Sequence, residues 1–471
     1  MIAALDRLFH LTANGTTVRT EILAGVTTFL TMAYIIFVQP AILSGTLFGI
    51  QTGMDFGAVM TATCVAAALA TVIMALYARY PIAQAPGMGE NFFFVFSVLP
   101  AAAAAGFAQP WKVGLGVVLV AGLLFMLISI VGVREMIIDA VSPSLKNGIA
   151  VGIGFFITFI GFQNARLILP SAGTCVRLNP QFASPDMIVF FFGLILTAAL
   201  HVRRVHGSIL WGILASCLLA VLLKLTIPHL PPAITETGLV RESMLMTRFQ
   251  IAGHLTALPP SMSSTFMQMD LVQACSLTML PFIIIFLFMD VFDTMGTLIG
   301  VGEQAGFIVN NKLPRARQAL LSDATGTVIG ACCGTSTVTS FIESAAGVEQ
   351  GGRTGLVGLV VAALFLLALF FSPIVAMIGS YAPITAPALV VVGFMMMQNL
   401  RKIDWNDYSE AVPAFLIALG IPLAYSIADG LAFGFITYPI IKVLSGRMRD
   451  IRWPMVVVCV ILLMYFVMIR S

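Results

Sequence analysis

Two stretches decide the fold: Pro81-Ile-Ala-Gln-Ala-Pro86-Gly-Met-Gly89-Glu-Asn-Phe-Phe-Phe94 and Gly334-Thr-Ser-Thr-Val-Thr-Ser340-Phe341-Ile-Glu343-Ser-Ala-Ala-Gly347. Each is apolar enough for a bilayer but poor as a helix. The first carries two prolines and two glycines, the second a run of hydroxyl and β-branched residues. Broken backbone at membrane depth exposes N–H and C=O groups that lipid cannot satisfy, so it persists only where it is buried in protein or lines a cavity. The plainer reading is a pair of interfacial loops, but paired interruptions at matching places in two halves of a chain point instead to a transport site near the midplane.

Around these two, at about 82–99 and 335–350, lie apolar stretches at 22–43, 56–78, 111–133, 147–164, 187–203 and 207–225. After a more polar connection over 226–274 they resume at 275–300, 318–333, 355–379, 384–400, 410–425 and 427–444. Numbered in chain order these are fourteen segments in two sevens, and 454–469 is an extra one outside that frame. The expected divisions are an N-terminal interfacial piece (1–21), a first repeat (22–225), an extracytoplasmic connection (226–274), a second repeat (275–444), and a basic loop with the extra segment (445–471).

Composition agrees. Of 471 residues 59% are hydrophobic and 10% charged, where a soluble domain is about half apolar and about a quarter charged. A soluble fold is excluded. A net charge of +3 is too small for a nucleic-acid footprint or a polybasic anchor. The seven cysteines show no paired spacing, so neither a metal nor a disulfide framework is expected, and nothing implies a cofactor. The N-terminus lacks the apolar core and cleavage site of a signal peptide and is expected to stay as a cytoplasmic interfacial helix.

With that terminus in the cytoplasm and fourteen crossings, seventeen Lys and Arg fall inside, Arg7, Arg79, Arg134, Lys312 and Arg353 among them, against six outside, with Arg470 unassigned. The bias supports the parity. Internal similarity supports a duplication: Phe29-Leu-Thr-Met32 recurs as Phe286-Leu-Phe-Met289, and Ala70-Thr-Val-Ile73 as Gly326-Thr-Val-Ile329. Seven is odd, so the two copies enter the membrane from opposite sides, an inverted repeat.

An Asp at a helix centre costs about 2.5–3.5 kcal/mol on insertion scales, so intramembrane acids need a reason. Phe286, Asp290, Asp293, Thr297 and Gly300 share one face of segment 8, opposite an apolar face of Leu287, Val291, Met295 and Leu298. Asp323 lies in segment 9, and Glu90 and Glu343 lie at the two breaks. None of the five histidines sits mid-span, so proton coupling falls to Asp293, Glu343, Asp290 and Asp323. The bland role for any of these acids is to cap a broken helix. Phe92 and Phe341, adjacent to broken backbone, are candidate stacking rings for a flat heterocycle.

Several motifs together resemble the nucleobase transporter superfamily, in its adenine, guanine and hypoxanthine permease branch. They are Asn14-Gly-Thr-Thr-Val-Arg-Thr-Glu-Ile-Leu-Ala-Gly25, Thr27-Thr-Phe-Leu-Thr-Met-Ala-Tyr34, Ala85-Pro-Gly-Met-Gly89, Met289-Asp-Val-Phe-Asp-Thr-Met-Gly-Thr-Leu-Ile-Gly300, the stretch from Gly334 to Val348, Gly351-Gly-Arg-Thr-Gly355 and Ile403-Asp-Trp405. The resemblance implies an all-α polytopic 7+7 inverted repeat with core and gate domains and a short strand in each of segments 3 and 10. It also implies a base gripped by Asp293 and Glu343, with Asn91, Phe92, Phe341, Ile342 and Thr297 completing the site, proton-coupled import, and pairing of two copies through the gate domain. One departure stands out: where the branch reads Gly-Leu-Asn-Ala-Phe-Phe, this chain has Gly89-Glu-Asn-Phe-Phe-Phe94, bringing an extra acid and a bulkier ring to the site.

The expectation is therefore a multi-pass transporter of the bacterial inner-membrane type, importing a purine base with protons by alternating access and performing no covalent chemistry. Two alternatives compete with it. An anion transporter on the same architecture would hold sulfate or bicarbonate at half-helix N-termini. An intramembrane aspartyl protease would need a dyad converging from separate helices, whereas Asp290 and Asp293 lie three apart on one.

Overall fold

The structure, a computed structural model, describes residues 2–131, 141–171, 173–308 and 313–469. Arg134, Lys312 and Arg470 lie outside the described residues. Among those described, ten helices are long and apolar enough to cross a bilayer, and they coincide with segments 1, 2, 4–8, 11, 12 and 14. Segment 9 (Ala316–Cys333) is a full-length helix that carries Arg317 and Asp323, and segment 13 (Tyr408–Ala424) is shorter. The boundaries follow local chemistry: Asp55, Ser142, Ser184 and Ser426 accept hydrogen bonds from the first turns of segments 2, 5, 6 and 14. Gly334 ends segment 9 at φ +94, and a Cβ there would lie 2.3 Å from the Thr265 Cβ, so no other residue fits.

Segments 3 and 10 are broken. In segment 3 a strand, β1 (Gln84–Pro86), leads into a helix at Met88–Phe93, which widens to a π-turn over Phe94–Val98 ahead of Pro100 and ends as Leu99–Ala104. The hairpin after segment 5 supplies β2 (Ile168–Ser171) and β3 (Cys175–Leu178), which the sequence reading did not anticipate. In segment 10 the strand β4 (Val338–Ser340) precedes a helix at Ser344–Glu349. Segment 1 is also interrupted, into Val18–Met32 and Ile35–Leu43, although the sequence reads as one span. Thr31 Oγ1 turns back onto the carbonyls of Thr27 and Thr28 at 3.2 and 2.7 Å, a competition with the helical ladder that bends helices.

The duplication is visible in contacts. Ala70 and Gly326, equivalent in the repeats, face each other, so that a Cβ on Gly326 would stand 3.0 Å from that of Ala70. Their neighbours Thr71 and Thr327 do the same job in each half: Thr71 Oγ1 donates to the Gln84 carbonyl (3.1 Å) and Thr327 Oγ1 to the Val338 carbonyl (3.1 Å). Segment 4 packs on segment 9 and, in mirrored fashion, segment 11 on segment 2. A second group of helices forms around segments 5, 12 and 13. There Gly148 and Gly152 bring segment 5 onto the backbone of Ala414, Ile417 and Ala418, and Gly154 meets Gly393 of segment 12. Small residues of this kind allow helices to approach closely where lipid offers no hydrophobic drive. The extra helix, Trp453–Ile469, packs against segments 14 and 8.

Two acids hold the periphery. On the extracytoplasmic side by the assigned parity, Asp186 accepts from Met244 N (2.8 Å), Leu245 N (3.0 Å) and Tyr381 Oη (2.7 Å), tying the long connection to segments 6 and 12. At the opposite end buried Glu21 accepts from Arg353 N (2.8 Å), Thr354 N (3.3 Å) and Thr354 Oγ1 (2.6 Å), joining the Asn14–Gly25 and Gly351–Gly355 motifs. Each donor stranded by losing a buried acceptor costs about 1–3 kcal/mol. Glu21→Ala should therefore lower the thermal unfolding midpoint in detergent well below that of Glu21→Gln, which keeps one acceptor oxygen. Equal midpoints for both variants and wild type would contradict this.

Candidate functional site

The two broken segments meet. β1 and β4 pair antiparallel with Gln84 opposite Ser340, Ala85 opposite Thr339 and Pro86 opposite Val338. Gly87 N to Thr337 O (3.1 Å) and Phe341 N to Ala83 O (3.0 Å) extend the ladder at its ends. Extended backbone is favoured before Pro86 and at β-branched Val338 and Thr339. Hydroxyls satisfy what the ladder leaves over: Thr71 Oγ1 accepts from Gln84 N (2.9 Å) and Ser344 Oγ from Ala83 N (3.0 Å). The hydroxyls of the Thr335–Ser340 run serve side chains instead: Thr335 and Ser336 accept from Gln39, and Ser340 donates to Asp323.

Five acids surround this crossing in different circumstances. Asp323, fully buried, accepts from Gln84 Nε2 (2.9 Å), Ser340 Oγ (2.6 Å) and Thr294 Oγ1, linking segment 9 to both strands and to segment 8. Asp290, also buried, takes a hydrogen bond from Thr327 Oγ1 at 2.7 Å on one oxygen, while its other oxygen has no partner among the described residues. Glu90 is buried with its carboxylate folded back over Gly87, so close that a Cβ there would stand 2.3 Å from Oε2. Glu343 stands at the start of the segment 10 helix without a side-chain bond to its first turn, is half-buried, and accepts from Tyr34 Oη at 2.9 Å. Asp293 is exposed, has no hydrogen-bond partner among the described residues, and shares an electrostatic neighbourhood with Glu90, Asp323 and Glu343.

The remaining expected residues divide. Ile342 is 47% exposed beside Glu343. Thr297 and Phe341 are buried at the margin. Asn91 and Phe92 turn away from the open space: Asn91 is locked to Gln39 and Ser336, and the Phe92 ring lies in a cluster with Phe48, Phe96 and Phe156. Sequence reasoning missed Tyr34 and Gln39. A lone Gln within Ile35-Ile-Phe-Val-Gln-Pro40 was a readable signal, and Tyr34 closes the Thr27–Tyr34 motif without any cue to what its hydroxyl meets.

The space beside Asp293 has a direction. Exposed positions on segment 8 run 293, 296, 299 and 303 toward its C-terminal end, while Phe286 and Asp290, nearer its N-terminus, are covered. A Cβ on Gly296 would meet nothing within 4 Å. The accessible face of segment 8 therefore lies along its C-terminal half, and in the aromatic cluster Phe96 and Phe156 stand edge-on to Tyr425 of segment 13.

A sequence profile described as the permease family matches residues 19–433. A putative permease of Methanocaldococcus jannaschii, MJ0326, is 45% identical over 98% of this chain and 98% of its own. The guanine/hypoxanthine permease PbuG of Bacillus subtilis is 41% identical over 99% of this chain and 100% of its own length. The adenine permease AdeP of Escherichia coli is 38% identical over 99% and 97%. Among solved structures, the transmembrane domain of the cyanobacterium bicarbonate transporter BicA superposes with TM-score 0.62 at 15% identity, covering 88% of this chain and 97% of that one. SLC26A9 does so with TM-score 0.62 at 11% identity over 94% and 69%. At those identities the likeness is one of fold, the inverted repeat.

Proposed function

The chain belongs to the nucleobase-ascorbate transporter family of permeases, and from that premise we propose that it imports purine bases together with protons by alternating access. The observation that carries this reading is the pair Asp293 and Glu343. They come from segments 8 and 10 of the second repeat, stand beside the β1–β4 crossing, to which each repeat gives one strand, and are the least buried of the five acids. A purine offers N–H donors along its edges, which ionised carboxylates accept strongly. Titratable acids at the same place can carry the coupled proton. By the assigned orientation the C-terminal end of segment 8 is cytoplasmic, so the space beside Asp293 faces inward. Moving the group of segments 1–4 and 8–11 against segments 5–7 and 12–14 would close it and open the other side.

An inorganic anion is a poor occupant. Both short helices begin at the crossing, with Glu90 in the first turn of one and Glu343 immediately before the first turn of the other. Negative charge there opposes a second anion.

The test is uptake of labelled hypoxanthine, guanine and adenine by cells lacking their own purine permeases, with and without a protonophore. The expected result is saturable accumulation that collapses with the protonophore. Absence of saturable uptake of every purine would contradict the substrate class, and protonophore-resistant accumulation would contradict the coupling.

A further inference from the structure

Glu343 has one side-chain donor among the described residues, and it comes from neither broken strand. Tyr34 lies at the interruption of segment 1 and is 2% exposed, with its hydroxyl on Glu343 Oε1 at 2.9 Å. The Thr31 hydroxyl, one turn before, has its shortest bond to the Thr28 carbonyl at 2.7 Å and stands 3.3 Å from the Glu343 carbonyl. Segment 1 thus holds the carboxylate of this residue through Tyr34 and lies against its backbone at Thr31. Asp293, by contrast, keeps both oxygens clear of protein donors among the described residues.

This asymmetry bears on recognition. A carboxylate with two free oxygens pairs well with two parallel N–H groups, whereas a hydroxyl already seated on one oxygen takes one of its two lone pairs and competes there with the second N–H. We propose that Tyr34 is a positioning residue that sets base selectivity: by donating to one oxygen of Glu343 it fixes that carboxylate and weakens the same oxygen as an acceptor, so that two-point pairing with the substrate is disfavoured. The proposal rests on the purine reading of the site. Guanine presents its N1–H and exocyclic amine side by side, hypoxanthine presents N1–H alone at that edge, and adenine presents its amine beside an acceptor nitrogen. With Tyr34 in place guanine gains little over hypoxanthine from its second donor. Removing the hydroxyl opens the second oxygen, and guanine alone can use it.

The experiment measures inhibition constants of guanine, hypoxanthine and adenine against uptake of labelled hypoxanthine by wild type, Tyr34→Phe and Thr31→Val. Since a hydrogen bond to a charged group changes affinity by about tenfold or more, Tyr34→Phe should shift the guanine-to-hypoxanthine ratio about tenfold toward guanine. The adenine-to-hypoxanthine ratio should stay put. Thr31→Val loosens the same residue through its carbonyl and should leave both ratios unchanged. Should Tyr34→Phe be absent from the membrane, Tyr34→Leu, also without a hydroxyl, is read by the same ratios. Weakening of all three bases by one common factor would make Tyr34 merely structural and overturn the proposal, as would unmoved ratios. Wild-type protein that takes up no purine fails the substrate reading itself, whereas intact uptake with an unmoved ratio removes only the role of Tyr34.

Discussion

Glu343→Gln and Asp293→Asn each abolish purine accumulation while leaving the protein folded in the membrane. Both halves of that expectation follow from how little the fold asks of these two side chains. Asp293 accepts no hydrogen bond from the protein among the described residues, and Glu343 accepts one side-chain bond, from Tyr34. Amide replacements therefore strand at most one donor. For the substrate the loss is large, since each hydrogen bond from a base N–H to a carboxylate contributes about 1.5–3 kcal/mol, or about tenfold to a hundredfold in affinity. The titratable group disappears as well. If the main task of Asp293 is proton coupling, Asp293→Asn keeps downhill exchange while losing accumulation, which separates the two acids. Counting accumulated label against protein in the membrane checks this, and normal concentrative uptake by both variants would mean the site lies elsewhere.

Asp323→Ala should fail in the opposite way, by loss of the fold. Its carboxylate accepts from Gln84, Ser340 and Thr294, one donor from each strand and one from segment 8. Alanine removes the acceptor that three buried donors share, leaving Thr294 with Thr339 at 3.0 Å and Gln84 with a long contact to Ser340 at 3.4 Å. At about 1–3 kcal/mol for each, the penalty is comparable with the whole stability of an ordinary domain, about 5–15 kcal/mol. Asp323→Ala should be nearly absent from the membrane or show a steeply lowered midpoint in detergent, and Asp323→Asn, which still accepts on one oxygen, should fall between. An Asp323→Ala protein with the wild-type midpoint and no accumulation would instead give Asp323 the proton-coupling role that its position in segment 9 first indicated.

How much of this was readable in the sequence depended on what each feature answers to. Bilayer thickness fixes the length of an apolar run, so ten of the segments coincide with helices long and apolar enough to cross, and segments 3 and 13 with shorter apolar ones. Proline, glycine and β-branched residues act locally, so the breaks at Pro81–Gly89 and Gly334–Ser340 were legible too. Side-chain direction around a break is decided by tertiary neighbours. Asn91 and Phe92 stand beside broken backbone, yet Gln39 and Ser336 claim one and an aromatic cluster the other. Likewise Asp293 and Asp290 share a helix face, but Thr327 reaches only Asp290. The interruption in segment 1 was invisible because its causes, hydroxyl back-bonding at Thr31 and contact with Glu343, leave the run apolar. The motifs around Glu21 and Thr354 could be recognised as motifs, but their reason, a shared buried carboxylate, needs residues more than three hundred positions apart to meet.

The most direct measurement is a structure of the protein with hypoxanthine or guanine bound. The ring is expected beside the β1–β4 crossing, with its N–H groups within about 3.2 Å of the carboxylates of Asp293 and Glu343. A base seated elsewhere, or seated there with those two side chains turned away from it, would contradict the account.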